Sequence, residues 1–104
     1  MALKISEDEV LDLLKSVEDP ELSVNIVDLG LIYDVHVNEE EGLIKVEMTF
    51  TTPFCPYGSS IQSQVNEVLE EIEGVEQVDV KVVFDPAWDR DMMNDEAKIQ
   101  LGLL

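Results

Sequence analysis

The stretch Thr49-Phe50-Thr51-Thr52-Pro53-Phe54-Cys55-Pro56-Tyr57-Gly58-Ser59-Ser60 dictates where a strand must stop and a helix begin. Proline has φ locked near the helical value and no N–H to lose, so Pro56 predicts the first position of a helix with Cys55 as its N-cap. Downstream, Tyr57, Ile61, Val65, Val68, Leu69 and Ile72 recur at the spacing of one helical face. Cys55 is the only cysteine of the chain. At an N-cap its sulfur faces unpaired N–H groups and the positive end of the helix dipole, both of which favour thiolate. The excess of 24 acids over 6 bases acts in the opposite sense. A small thiol filling space between strand and helix is the plain alternative. The coincidence of thiol, helix start and neighbouring hydroxyls weighs for function.

One cysteine makes no internal disulfide and no four-cysteine zinc or cluster site within a chain. A metal site built around it must recruit oxygen ligands, a small-molecule thiol or a second subunit. The net charge of -18 excludes the basic footprint that nucleic acid or an anionic membrane surface requires. The acids are spread along the chain, the pattern of a solubilising surface. No apolar run reaches the roughly 18 residues of a membrane span, and Met1-Ala2-Leu3-Lys4-Ile5-Ser6 lacks the apolar core of a signal peptide. A cytoplasmic protein is therefore expected. At 104 residues, a single domain over 1–104 is expected.

Taken in order, Ser6-Glu7-Asp8-Glu9 has the spacing of a capping box, and Val10, Leu11, Leu13, Leu14 and Val17 predict a helix over 7–17 that Asp19-Pro20 ends. The next dozen residues show no clean period, and a loop of that length in a small domain is more often functional than idle. It carries Asp19, Glu21 and Asp28, each of which also suits a turn or cap. Alternation predicts strands over Leu31–Asn38 and Leu43–Thr51, joined through Glu39-Glu40-Glu41-Gly42 as a hairpin. The only histidine, His36, falls on the wet face of the first strand, where a lone imidazole is usually solvated.

After the cysteine helix, Gly74 predicts a left-handed C-cap. Alternation over Val75–Phe84 then predicts a third strand, with Val78, Val80, Val82 and Phe84 inward, reached by a helical crossover. Its neighbour in the sheet is left open. Glu67, Glu70, Glu71 and Glu73 are the wrong sign for a helix C-terminus, and no Lys or Arg occurs from Val46 to Val80. Asn94 predicts the cap of a last short helix that Gly102 closes, with Trp88, Met92 and Met93 seating it. The expected fold is α+β, two-layer α-β-β-α-β-α with a mixed three-stranded sheet. In a hairpin the start of one strand lies beside the end of the other. Topology alone thus brings Asp28 and its loop towards Thr51, Thr52 and Cys55.

On Asp19-Pro20-Glu21-Leu22, Val27-Asp28-Leu29-Gly30-Leu31-Ile32-Tyr33, Thr51-Thr52-Pro53-Phe54-Cys55-Pro56 and Phe84-Asp85-Pro86-Ala87-Trp88, followed by the Ala97–Gly102 tail, the chain resembles the metal-sulfur cluster assembly factors. These are the small SufT-like and PaaD-like proteins. The resemblance implies a cytosolic accessory factor in iron-sulfur protein maturation, with Asp19, Glu21, Thr51, Thr52 and Cys55 matching the family's site. It implies transient iron or an iron-sulfur cluster rather than a permanent cofactor, and the iron-sulfur assembly machinery and client apoproteins as partners. PaaD-like relatives carry a further cysteine-rich segment that this sequence lacks, so general cluster assembly is expected over an accessory role in aromatic ring hydroxylation.

Three readings follow. In the first, Cys55 is the metal ligand, aided by a carboxylate or by Cys55 of a second subunit in a homodimer. In the second, Cys55 is the nucleophile of a thiol-dependent enzyme, for which His36 is the only imidazole base and lies mid-strand, away from it. In the third, the chain is an adaptor that presents its acidic helix end to a basic client.

Overall fold

The computed structural model describes residues 3–103. Helix α1 (Glu7–Leu14) opens on the expected capping box: the Ser6 hydroxyl accepts from Glu9 N–H at 3.1 Å and Glu9 Oε1 accepts from Ser6 N–H at 3.2 Å. The helix stops earlier than 17. Lys15, Ser16 and Val17 donate to carbonyls three residues back, tightening the last turn out of α geometry. Val10, Leu14 and Val17 are nonetheless buried, so the apolar face continues past the helix.

The aperiodic stretch that follows hides a two-residue ladder, β1 (Glu18–Asp19) with β2 (Val24–Asn25), antiparallel. No period could reveal it, because two-residue strands are set by their turn. Asp19 Oδ1 accepts the N–H groups of Glu21 and Leu22, Asp19 C=O accepts Ser23 N–H at 2.8 Å, and Ser23 takes φ 57°.

Strands β3 (Ile32–Asn38) and β4 (Leu43–Met48) form the expected hairpin. The register shifts between Ile32 and Asp34, so Tyr33 is the extra residue of a bulge. Strand β4 ends at Met48 rather than at Thr51, and Thr49 is fully buried. Its N–H donates to Leu31 C=O at 2.8 Å, closing the strand ends together beyond the bulge.

Helix α2 (Gly58–Glu70) crosses over to β5 (Gln77–Val82), which pairs parallel with β4. The sheet order is β3-β4-β5, which places the hairpin's second strand in the centre. Hence Ile44, Val46 and Met48 of β4 are sealed, while Val78, Val80 and Val82 on the edge are half-buried. Phe84, expected inward, lies past the end of β5 and is exposed, its ring 6.2 Å from that of Phe50. Gly74 does not cap α2, whose C-cap is Glu71. With φ 90° it instead takes the third position of a turn in which Val75 N–H donates to Ile72 C=O.

Both α1 and α2 cover one face of the sheet with Val10, Leu14, Ile61, Val65 and Leu69. The other face is solvated, with Asp34, His36, Lys45, Glu47, Asp79 and Lys81 exposed. Across it Lys45 lies opposite Asp79, and Glu47 opposite Lys81, pairings of opposite sign that suit a wet face. The architecture is therefore the expected α+β one, with three α-helices and a mixed three-stranded sheet among the described residues. No described helix is long and apolar enough to cross a membrane.

The C-terminal segment closes back on the first loop. A 3-10 turn (Arg90–Met92) leads into α3 (Asp95–Gln100), capped by the Asn94 side chain accepting from Ala97 N–H. Leu103 N–H donates to Lys98 C=O and Gly102 N–H to Ile99 C=O, with Gly102 at φ 75°, a Schellman ending as its glycine suggested. The closure itself is polar. Asp28 Oδ1 accepts from Asn94 Nδ2 at 2.7 Å, Oδ2 from Asn25 Nδ2 at 2.8 Å, and Asp28 C=O from Asn94 N–H at 2.9 Å.

Gly30 sits under this strap at φ 81°, and a Cβ there would lie 2.8 Å from the Met92 carbonyl carbon. Gly30→Ala therefore combines left-handed strain with backbone collision and should lose about 2–4 kcal/mol in urea unfolding. Gly102→Ala, with open space around it, should lose only about 1 kcal/mol. Asp28→Ala removes the acceptor of two part-buried amide bonds and should cost about 1–3 kcal/mol by the same measurement. A loss under ~0.5 kcal/mol would show that the clamp does not hold the tail.

Candidate functional site

The loop after β4 is built from two consecutive turns that share Cys55. In the first, Cys55 N–H donates to Thr52 C=O at 3.2 Å, with Pro53 at the second position and Phe54 at the third. The Thr52 hydroxyl also accepts from Phe54 N–H at 3.2 Å, which braces that turn from inside. In the second, Gly58 N–H donates to Cys55 C=O at 3.3 Å, with Pro56 at the second position and Tyr57 at the third. Each proline presets the φ that a turn's second position requires.

Cys55 is consequently not the N-cap of α2, and Pro56 is not its first residue. Tyr57 is the cap, with φ -102° and ψ 6° and no side-chain cap bond, and the helix starts at Gly58. A fixed φ and a missing N–H suit a turn as well as they suit a helix start, which is why the residue pattern pointed elsewhere. Gly58 is also where the chain winds tightly against the strand end, since a Cβ there would lie 2.7 Å from Phe50 Cε2. The sulfur stands two residues before the cap. It is partly exposed and packs against the apolar core.

Of the oxygen-bearing residues expected to converge, Glu21 and Thr51 do so: both line one cleft of about 370 Å³ with Leu22, Trp88, Arg90, Met93, Leu101 and Leu103. Cys55 and Thr52 are not among its lining residues. Asp19, only 2% exposed, uses Oδ1 on the backbone of its own turn. Asp28, 9% exposed, has both carboxylate oxygens engaged by Asn25 and Asn94. Topology thus brings the Asp19–Asp28 loop to the end of β4, yet Glu21 is the loop acid whose side chain reaches the cleft.

Trp88 was readable as a packing residue, and it is anchored as one, Nε1 donating to Leu29 C=O at 2.7 Å. The same ring also walls the cleft. Arg90 was overlooked, although a lone arginine among 24 acids is itself a signal. Beside the cleft, Tyr33 Oη donates to Pro86 C=O at 2.8 Å, with Met92 Sδ 3.4 Å away. Burial raises the Tyr33 phenol above its usual pKa of 10.0; a hydrogen bond with Thr49 opposes this and the charge of Asp89 adds to it. The phenol is therefore a neutral donor at pH 7. His36 projects from the open face of the sheet opposite Lys45, among Asp34, Glu47, Asp79 and Lys81, and is no partner for the thiol. Among the described residues no three His, Cys, Asp or Glu side chains are grouped to hold a metal ion.

Residues 7–82 match the family described as iron-sulfur cluster assembly protein. The Fe-S protein maturation auxiliary factor SufT of Staphylococcus aureus is 47% identical over 85 residues, 82% of this chain and 96% of that one. An Fe-S protein maturation auxiliary factor of Porphyromonas gingivalis is 41% identical over 99 residues, 95% of this chain and 93% of that one. The crystal structure of a domain of unknown function from Bacillus anthracis superposes with a TM-score of 0.87 at 39% identity, over 94% of this chain and 92% of that one. With α1, the hairpin, the cysteine loop, α2 and β5 all inside the matched region, the chain belongs to the iron-sulfur cluster assembly protein family.

Proposed function

We propose that this chain is an accessory factor in the maturation of iron-sulfur proteins, which meets iron or a cluster as cargo through Cys55 and docks the assembly machinery and its client apoproteins. The observation that carries this is a partly exposed lone thiol held between two proline turns, inside a region matched end to end by the family. Thiolate suits iron and iron-sulfur clusters. One thiolate per chain gives incomplete ligation, so the cargo is held transiently and the receiving protein's own cysteines can complete its shell.

The remaining residues divide by task. Glu21 and Thr51 line a cleft that does not include Cys55, Thr52 braces the turn that carries the sulfur, and Asp19 and Asp28 hold the opposing loop in place. The acidic surface and the lack of a basic patch point to protein partners in the cytoplasm rather than nucleic acid or membrane. A homodimer with two Cys55 residues facing one cargo would complete half of a four-thiolate shell.

Anaerobic reconstitution with ferrous iron and sulfide should give a visible chromophore that a chelator bleaches within minutes, and Cys55→Ala should lack it. Native mass spectrometry of the same samples reads one or two chains per cargo. Equal absence of colour in both proteins would overturn cargo binding and leave docking alone. Docking without cargo has an observation of its own in the ungrouped metal-ligand side chains. In that case client binding should survive Cys55→Ala and fall at least ~10-fold after charge reversal at Glu70, Glu71 and Glu73.

A further inference from the structure

The cleft beside the cysteine loop holds two opposite charges that do not neutralise each other. Glu21 and Arg90 both line it, yet among the described residues the one ion pair is Lys15 with Asp12 at 3.8 Å. Leu22, Trp88 and Met93 supply apolar surface to the same cleft. Trp88 is held by its bond to Leu29 C=O, so that wall is preformed. The volume, about 370 Å³, falls among clefts that hold small molecules.

The lining narrows what can fill it. A purely apolar occupant would leave both charges of the lining unmatched. A net anion would satisfy Arg90 but must enter the field of a chain with charge -18. A simple cation would satisfy Glu21 and leave Arg90 unmatched. A molecule that carries both charges on one small centre can match both groups, which form no ion pair with each other.

We propose that this cleft binds a small zwitterion, an α-amino acid with an aliphatic or thioether side chain. Its carboxylate pairs with Arg90, its ammonium with Glu21, and its side chain lies against Trp88, Leu22 and Met93, with the Thr51 hydroxyl as a further polar contact. The site is separate from cargo binding by Cys55, which does not line it.

Trp88 is the only tryptophan of the chain, so its emission reports this cleft without a label. At pH 7 and without metal, L-leucine and L-methionine should each change that emission saturably. 3-Methylbutylamine and 4-methylpentanoate, which each keep one charge of leucine, should bind at least ~10-fold more weakly. Arg90→Gln should weaken leucine and the acid by about tenfold and spare the amine, and Glu21→Gln should do the reverse. Both residues are exposed, and an unchanged emission maximum of the unliganded variants establishes that the cleft is intact. Cys55→Ala should bind leucine like wild type, which separates this site from the cargo reading whatever becomes of that. No change of emission up to ~10 mM leucine and methionine, equal binding of the singly charged analogues, or an unaltered affinity in Arg90→Gln would each overturn the proposal.

Discussion

The carboxylate of Asp28 is the joint on which the functional end of this molecule depends. Its two oxygens draw in Asn25 from the first loop and Asn94 from the C-terminal segment, and Asn94 spends its own side-chain oxygen capping α3. One residue thereby couples a local turn to an element 66 positions away. Asp28 itself is buried and its two amide bonds are part-buried, where a charge-assisted bond is stronger than in open solvent. Gly30 and Met92 then come into backbone contact, a fit that requires both a left-handed φ and no side chain. The cleft exists because these two segments are held against each other: Glu21 and Leu22 come from one, and Trp88, Arg90 and Met93 from the other.

Seen from the thiol, the same economy holds on a smaller scale. Neither a helix end nor a neighbouring imidazole prepares Cys55; two turns with a proline each limit where its backbone can go. Rigidity of this kind sets position rather than reactivity. For the proposed cargo role, a sulfur that is well placed and only partly enclosed would suit release, since every extra protein ligand would add to the barrier for transfer. The ring of Phe54, 88% exposed at the third position of the first turn, stands at the same rim.

What the residues disclosed in advance, and what they concealed, follows from the range of the forces involved. The capping box at Ser6, the hairpin, the crossover helix and the Schellman ending at Gly102 are set by neighbours within a few residues, so periodicity and cap chemistry were enough to foresee them. The central place of β4 is a long-range pairing choice between two edges, which no local pattern decides. The bulge at Tyr33 was hidden because alternation assumes an unbroken ladder, and Thr49 is buried beyond the point where it breaks. Pro56 misled for a sharper reason: two different structures ask the same φ of proline. At the site, hairpin geometry foresaw that the Asp19–Asp28 loop meets the end of β4. It could not tell which carboxylates would be consumed in holding that loop.

That last distinction bears on how acidic residues in this chain should be interpreted. An aspartate beside its own turn finds backbone N–H groups within reach of its short side chain, as Asp19 does, and its charge is then spent on architecture. A glutamate has one more methylene and so tends to reach past the local backbone. Glu21 sits two residues after Asp19 in the same turn, yet its carboxylate lines the cleft while the turn takes only its N–H. Side-chain length thus sorts two adjacent acids into a structural and an available one. The same cleft carries the only guanidinium in the chain, so the available acid shares its site with the one group that could define, with it, what enters.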